Sequence, residues 1–200
     1  MLVLIVILLL LVLGWYLYSK YKKSEPNLPE VTSDVDILED PTNEIIEEEI
    51  RIITRGIDVL SSYSYLDEAN NPNVIKEFWS EMGRPHYDHT TNWCGLAVAI
   101  GEIESGYLTV DELPQGFESA RAWLKGYPKD KYKKVEKEDL QEGDIVVKWR
   151  VSPDSWQGHV SYFKGWAPDN KYLSFGGNQS NKVRVSTYEA DHILAGIRRV

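Results

Sequence analysis

The chain has a single cysteine among its 200 residues, and that thiol stands where its chemistry is favoured. In Thr90-Thr91-Asn92-Trp93-Cys94-Gly95-Leu96-Ala97-Val98-Ala99, polar cap-forming residues give way to an apolar run, which places Cys94 in the first turn of a helix. Backbone N–H groups without acceptors and the positive end of the helix dipole stabilise a thiolate there, the nucleophilic form of cysteine. Without that context a lone cysteine reads as a small buried hydrophobe. A thiolate nucleophile works with an imidazole, and of the four histidines His159 is the candidate. Gly158-His159-Val160-Ser161-Tyr162-Phe163 begins a strand whose alternation sets His159, Ser161 and Phe163 on one face. Gly158 lets another segment approach closely. A third polar group must fix the imidazole tautomer. Asn178 is placed for it, in Tyr172-Leu173-Ser174-Phe175-Gly176-Gly177-Asn178-Gln179, where a strand runs into two glycines; Gln179 is the alternative.

Other chemistries find little support. One cysteine excludes a structural disulfide within the chain and a cysteine-based zinc cage. His86 and His89 flank Asp88, but the pair has no helical context and no second signature, so no metal and no cofactor are expected. The formal net charge of −9 argues against a nucleic-acid partner, because phosphate binding needs a net basic face. The lysine-rich stretch Lys125 to Lys137 is read as a solvated loop, with approach to an anionic polymer as the other option.

The elements that must position these residues follow an α-then-β order. Asn73 to Met82, Cys94 to Glu104 and Phe117 to Lys125 are predicted helices. Asp144 to Trp149, His159 to Lys164, Tyr172 to Phe175, Lys182 to Ser186 and Leu194 to Arg199 are predicted strands, short and separated by Gly, Pro, Asn or Asp. The fold class expected for residues 70–200 is α+β with a small antiparallel sheet.

Ahead of that domain the chain is polarised. Met1 to Tyr18 carries no charged side chain, and eighteen helical residues reach roughly 27 Å, close to the hydrocarbon thickness of a bilayer. Residues 1–19 are read as a transmembrane anchor in the lipid bilayer, with Trp15, Tyr16 and Tyr18 at one interface and Lys20, Lys22 and Lys23 among the headgroups. No basic leader and no small-residue cleavage site mark it as a signal to be removed. Residues 20–43 form an acidic, proline-containing linker, with no Lys or Arg between Glu25 and Glu49. An amphipathic helix over 44–66 follows, its stripe of Ile46, Ile50, Ile53, Ile57 and Leu60 packing on the domain or, less simply, forming a coiled-coil seam.

Taken together, Trp93-Cys94, Gly143-Asp144-Ile145-Val146-Val147, Gly158-His159-Val160 and Gly176-Gly177-Asn178-Gln179 occur in an order and at distances that resemble the NlpC-type and CHAP-type superfamily of cysteine, histidine-dependent amidohydrolases and peptidases. The resemblance covers roughly residues 73–200, with Leu194 to Arg199 as the closing strand; Glu142 stands where such chains often carry proline. It implies a papain-like α+β core and cleavage of amide bonds in bacterial peptidoglycan. It also implies Cys94 as nucleophile, His159 as base and acid, and Asn178 as the orienting group. The implied oxyanion donors are the backbone at Cys94 together with the Asn92 side chain, which is otherwise a helix cap. Trp93, Trp156, Tyr162 and Trp166 are candidates to line a groove for sugar or peptide, or else core residues. Rival readings are a silent wall-binding module of the same fold, and an acyltransferase or peptidase acting on another amide. The three flanking lysines favour a cytoplasmic domain, whereas a wall substrate requires a periplasmic or extracellular one, and the latter is expected.

Overall fold

The computed structural model describes residues 55–200. The anchor read over 1–19, the linker 20–43 and the first part of the helix expected over 44–66 lie outside the described residues. Within them, that helix is seen as α1 (Gly56–Ser62), with Ile57 and Leu60 buried in the main core. It stops where the Ser61 and Ser62 hydroxyls bond back to the carbonyls of Ile57 and Val59, competing with the backbone ladder. Proline at the first helical position opens α2 (Pro72–Glu81), which buries Ile75, Phe78 and Trp79. The third helix, α3 (Cys94–Glu104), is buried from Cys94 through Glu102, as a helix that is apolar all round must be. Its small residues let it sink: a Cβ added at Gly95 would collide with the Phe117 carbonyl, and one at Gly101 with the Tyr162 hydroxyl. No described helix is long and apolar enough to cross a membrane.

Six strands follow in an antiparallel sheet: β1 (Tyr132–Val135), β2 (Ile145–Trp149), β3 (Gly158–Ala167), β4 (Lys171–Gly176), β5 (Arg184–Glu189) and β6 (Ile193–Arg199), ordered β1-β6-β2-β3-β4-β5. The described fold is therefore α+β. Two of the sequence expectations are corrected. The helix expected over Phe117 to Lys125 is a turn leading into a 3-10 segment, Ala120–Leu124, because the Trp123 indole N–H donates to the Phe117 carbonyl and tightens the chain. The lysine-rich loop contains β1, where Tyr132 is buried in the main cluster and Val135 in the second, on opposite faces of the sheet, while Lys133 and Lys134 are exposed; lysines suit an exposed edge strand, since they block further pairing.

The two sheet faces divide the core. Val147, Val160, Tyr162 and Phe175 join the helices in the main cluster, while Val146, Phe163 and Tyr172 form a second one on the opposite face. Helix α3 packs on β3 and β4. Its C-terminal end is fixed by Glu102, 1% exposed, which accepts from the Tyr162 hydroxyl at 2.8 Å, the Tyr132 hydroxyl at 2.5 Å and Arg199 Nε at 2.8 Å. Asp144 of the Gly-Asp motif anchors the sheet in the same way. Arg198 grips both its oxygens at 2.8 Å, tying the start of β2 to β6.

Candidate functional site

Cys94 is the first residue of α3, and Trp93 at the cap position makes no side-chain capping bond to the helix. The first bond of the helical ladder runs from Ala97 N to the Trp93 carbonyl at 3.0 Å, so the N–H groups of Cys94, Gly95 and Leu96 precede it and have no acceptor within the helix. The thiol is 6% exposed. Burial pushes its pKa up, and the N–H of Val160, those of Gly95 and Cys94, and the charge of Arg150 pull the other way. Burial wins, so the resting group is a thiol. This corrects the expectation that the helix start alone yields a thiolate, because desolvation outweighs the dipole. Val160 follows His159 in β3, so the strand carrying the imidazole begins beside the sulfur.

The orientation of His159 follows from its neighbour Gln179. The Gln179 amide, 1% exposed, donates from Nε2 to the carbonyls of Ser174 at 3.2 Å and Gly176 at 3.3 Å, and also to that of Arg184. Three carbonyls around the nitrogen leave Oε1 as the acceptor, and it receives the Ser174 hydroxyl at 3.1 Å and faces His159 Nε2 at 3.3 Å. His159 Nε2 therefore carries the proton, and Nδ1 holds the lone pair. Ser161, whose Oγ lies 2.5 Å from Ser174 Oγ, extends the chain one step deeper. Burial lowers the His159 pKa to about 3, helped by the nearby charges of Lys148 and Arg150 and opposed by Gln179. The imidazole is neutral at pH 7.

Asn178, the residue expected to orient the ring, does not touch it. Its backbone is left-handed, with φ of 53°, which turns its side chain to the cavity mouth, where Nδ2 donates to Asn92 Oδ1 at 3.3 Å. The next residue, Gln179, is the one turned inward. Gly177 is required here because a Cβ would collide with the Trp93 ring and Ala97. Asn92 is not a helix cap; it lines the mouth with its own amide N–H groups available.

Cys94, His159, Asn92 and Asn178 line one cavity of about 670 Å³. Trp156, 78% exposed, stands at its rim. Trp93 and Tyr162 are corrected as substrate-binding candidates. Trp93 is 1% exposed, with its indole N–H on Glu68 Oε1 at 2.6 Å, and Tyr162 is fully buried on the α3 side of the sheet. The cavity also holds residues that motif spacing does not single out: Lys148, Arg150 and Tyr188. A lysine closing the otherwise apolar run Ile145-Val146-Val147 is the one signal the sequence offers for them. Register places Lys148 directly opposite His159. Among the described residues no group of three or more His, Cys, Asp or Glu side chains is disposed to hold a metal. No family model matches the chain, and no curated protein matches it.

Proposed function

We propose that this chain is a cysteine hydrolase of papain-like fold that cleaves amide bonds of bacterial peptidoglycan, either the amide joining peptide to sugar or one within the stem peptide. The observation that carries the reading is the meeting, in one cavity, of a helix-start thiol and a buried histidine whose Nε2 faces Gln179 Oε1, which leaves Nδ1 as the acceptor. The resemblance noted above supplies the substrate class.

In this reading a neutral pair is activated by the substrate's arrival. The Cys94 proton passes to His159 Nδ1 as Sγ forms a bond to the amide carbon, giving a tetrahedral oxyanion. The N–H groups of Cys94 and Gly95 are directed to that oxygen, with the Asn92 side chain as a further donor. His159 returns its proton to the leaving amine as the C–N bond breaks, and a thioester remains on Cys94. Water, deprotonated by His159, then releases the acid. Gln179 accepts from Nε2–H throughout and keeps the ring in the tautomer that can take the proton. Trp156 offers an aromatic face to a sugar or peptide entering the mouth.

An anchor over residues 1–19 and a linker over 20–43 would hold such a domain near a bilayer on its outer side, where the wall is. The burial of the thiol favours one second reading, a silent wall-binding module that keeps the fold. Digestion of purified wall with the full chain, with released ends identified by mass spectrometry, separates the two. New amine and carboxyl ends, absent with Cys94→Ala, support the hydrolase; undigested wall that retains the protein supports the silent module.

A further inference from the structure

Lys148 is 7% exposed and lies in β2 directly across from His159, so the two side chains leave the sheet on one face with Cβ atoms about 5 Å apart. Its ammonium lies 4.0 Å from the centroid of the Tyr188 ring. No acceptor among the described residues takes its hydrogen bonds. Arg150, two residues on, lines the same cavity and makes no hydrogen bond or ion pair with a described residue. Among the described residues the only acidic side chain in the cavity lining is Glu118, which pairs with Arg84 at 3.6 Å without a hydrogen bond. A buried cation without a counter-charge is costly, and a second cation beside it raises the cost. The Lys148 pKa is lowered to about 8 by burial and by Arg150, which keeps it mostly charged at pH 7. Arg150 acts on Cys94, Lys148 and His159 alike, so one guanidinium looks onto the whole reacting centre.

We propose that Lys148 and Arg150 form a carboxylate-binding subsite beside the reacting thiol, so that the preferred substrate carries a free carboxylate on the residue flanking the scissile amide. The inference rests on the hydrolase reading and narrows it: an acidic peptide bond is selected over an amide with only neutral neighbours. The carboxylate completes the charge balance that the protein leaves open. It also offsets the two positive charges that oppose protonation of His159, so the imidazolium needed for leaving-group departure forms when the right substrate is bound. Guanidinium and ammonium together suit this ligand, the first by its planar fork and the second as a point charge.

Two alkylating agents of nearly equal size test the subsite on the full chain. Iodoacetate and iodoacetamide both put a CH2 group on Sγ with loss of iodide, and differ in a carboxylate against a neutral amide. The subsite makes iodoacetate the faster reagent at Cys94 by about tenfold, with saturation at rising concentration. Arg150→Gln, on the exposed loop, and Lys148→Met, which keeps the apolar stem against Tyr188, each lower the ratio toward or below unity. Iodoacetamide equal or faster in the unmodified chain overturns the inference alone, as does a ratio indifferent to both substitutions. Failure of both reagents to modify folded Cys94 overturns the inference, while the wall digest, which needs no reaction of the resting thiol, decides the hydrolase reading on its own.

Discussion

The buried imidazole makes a prediction about stability that does not require knowledge of the substrate. His159 titrates at about 3 in the folded chain, against 6.5 for the free side chain. Between those values the unfolded chain binds one proton that the folded chain does not, so stability rises with pH across the window and is lost as pH falls from about 6.5 toward 3. The slope from one such group approaches about 1.4 kcal/mol per pH unit once the unfolded imidazole is fully protonated and is half that at about pH 6.5, which gives a loss of roughly 2 kcal/mol on going from about pH 6.5 to about pH 4.5. His159→Gln keeps a donor toward Gln179 and cannot titrate. Urea unfolding of the full chain and of this variant across that range isolates the term, because the acids common to both cancel in the difference. Wild type should lose about 2 kcal/mol more than the variant, and a Lys148→Met background should shrink that excess by removing one cause of the depressed value. A wild-type-minus-variant difference that stays flat with pH would show the ring protonating as readily folded as unfolded, and would refute the account of the site as a neutral thiol–imidazole pair.

Three substitutions separate positioning from packing and binding. Gln179→Ala should lower kcat about a hundredfold while Asn178→Ala changes it little, measured on the same wall digest, since only Gln179 meets the imidazole. Glu102→Ala should cost about 3–5 kcal/mol in urea unfolding, because it takes the carboxylate from Arg199 and from two buried tyrosine hydroxyls at the far end of α3. Trp156→Ala should raise KM by roughly tenfold with kcat nearly unchanged, as expected for an exposed rim contact that binds ground and transition states alike.

How far the sequence can be read depends on whether a feature is local. The helix start at Cys94 and the strand at His159 are written in their own ten residues, and both are in place in the fold. The Phe117–Lys125 segment has helical residue types, but the bond from Trp123 back to Phe117 is a side-chain closure that propensity does not encode. Strand β1 is hidden by its lysines, since its two buried residues, Tyr132 and Val135, lie on opposite faces and leave no period-2 pattern to read. Asn178 and Gln179 are adjacent, and the choice between them turns on one left-handed residue that reverses which side chain faces inward. Tyr162 and Trp93 pass for groove residues because aromatic type does not report sheet face; Tyr162 faces α3, and Trp93 is fixed against Gly177. The pairing of Lys148 with His159 depends on register between β2 and β3, which requires the fold itself.

The central claim is that Cys94 forms a thioester with the acyl half of its substrate, and it is tested most directly by intact mass spectrometry of the full chain, quenched in acid during wall digestion. The account predicts an added acyl mass on the peptide containing Cys94, removed by hydroxylamine and absent in Cys94→Ala and in His159→Ala. Release of wall fragments without any adduct, and at the same rate from Cys94→Ala, would contradict it.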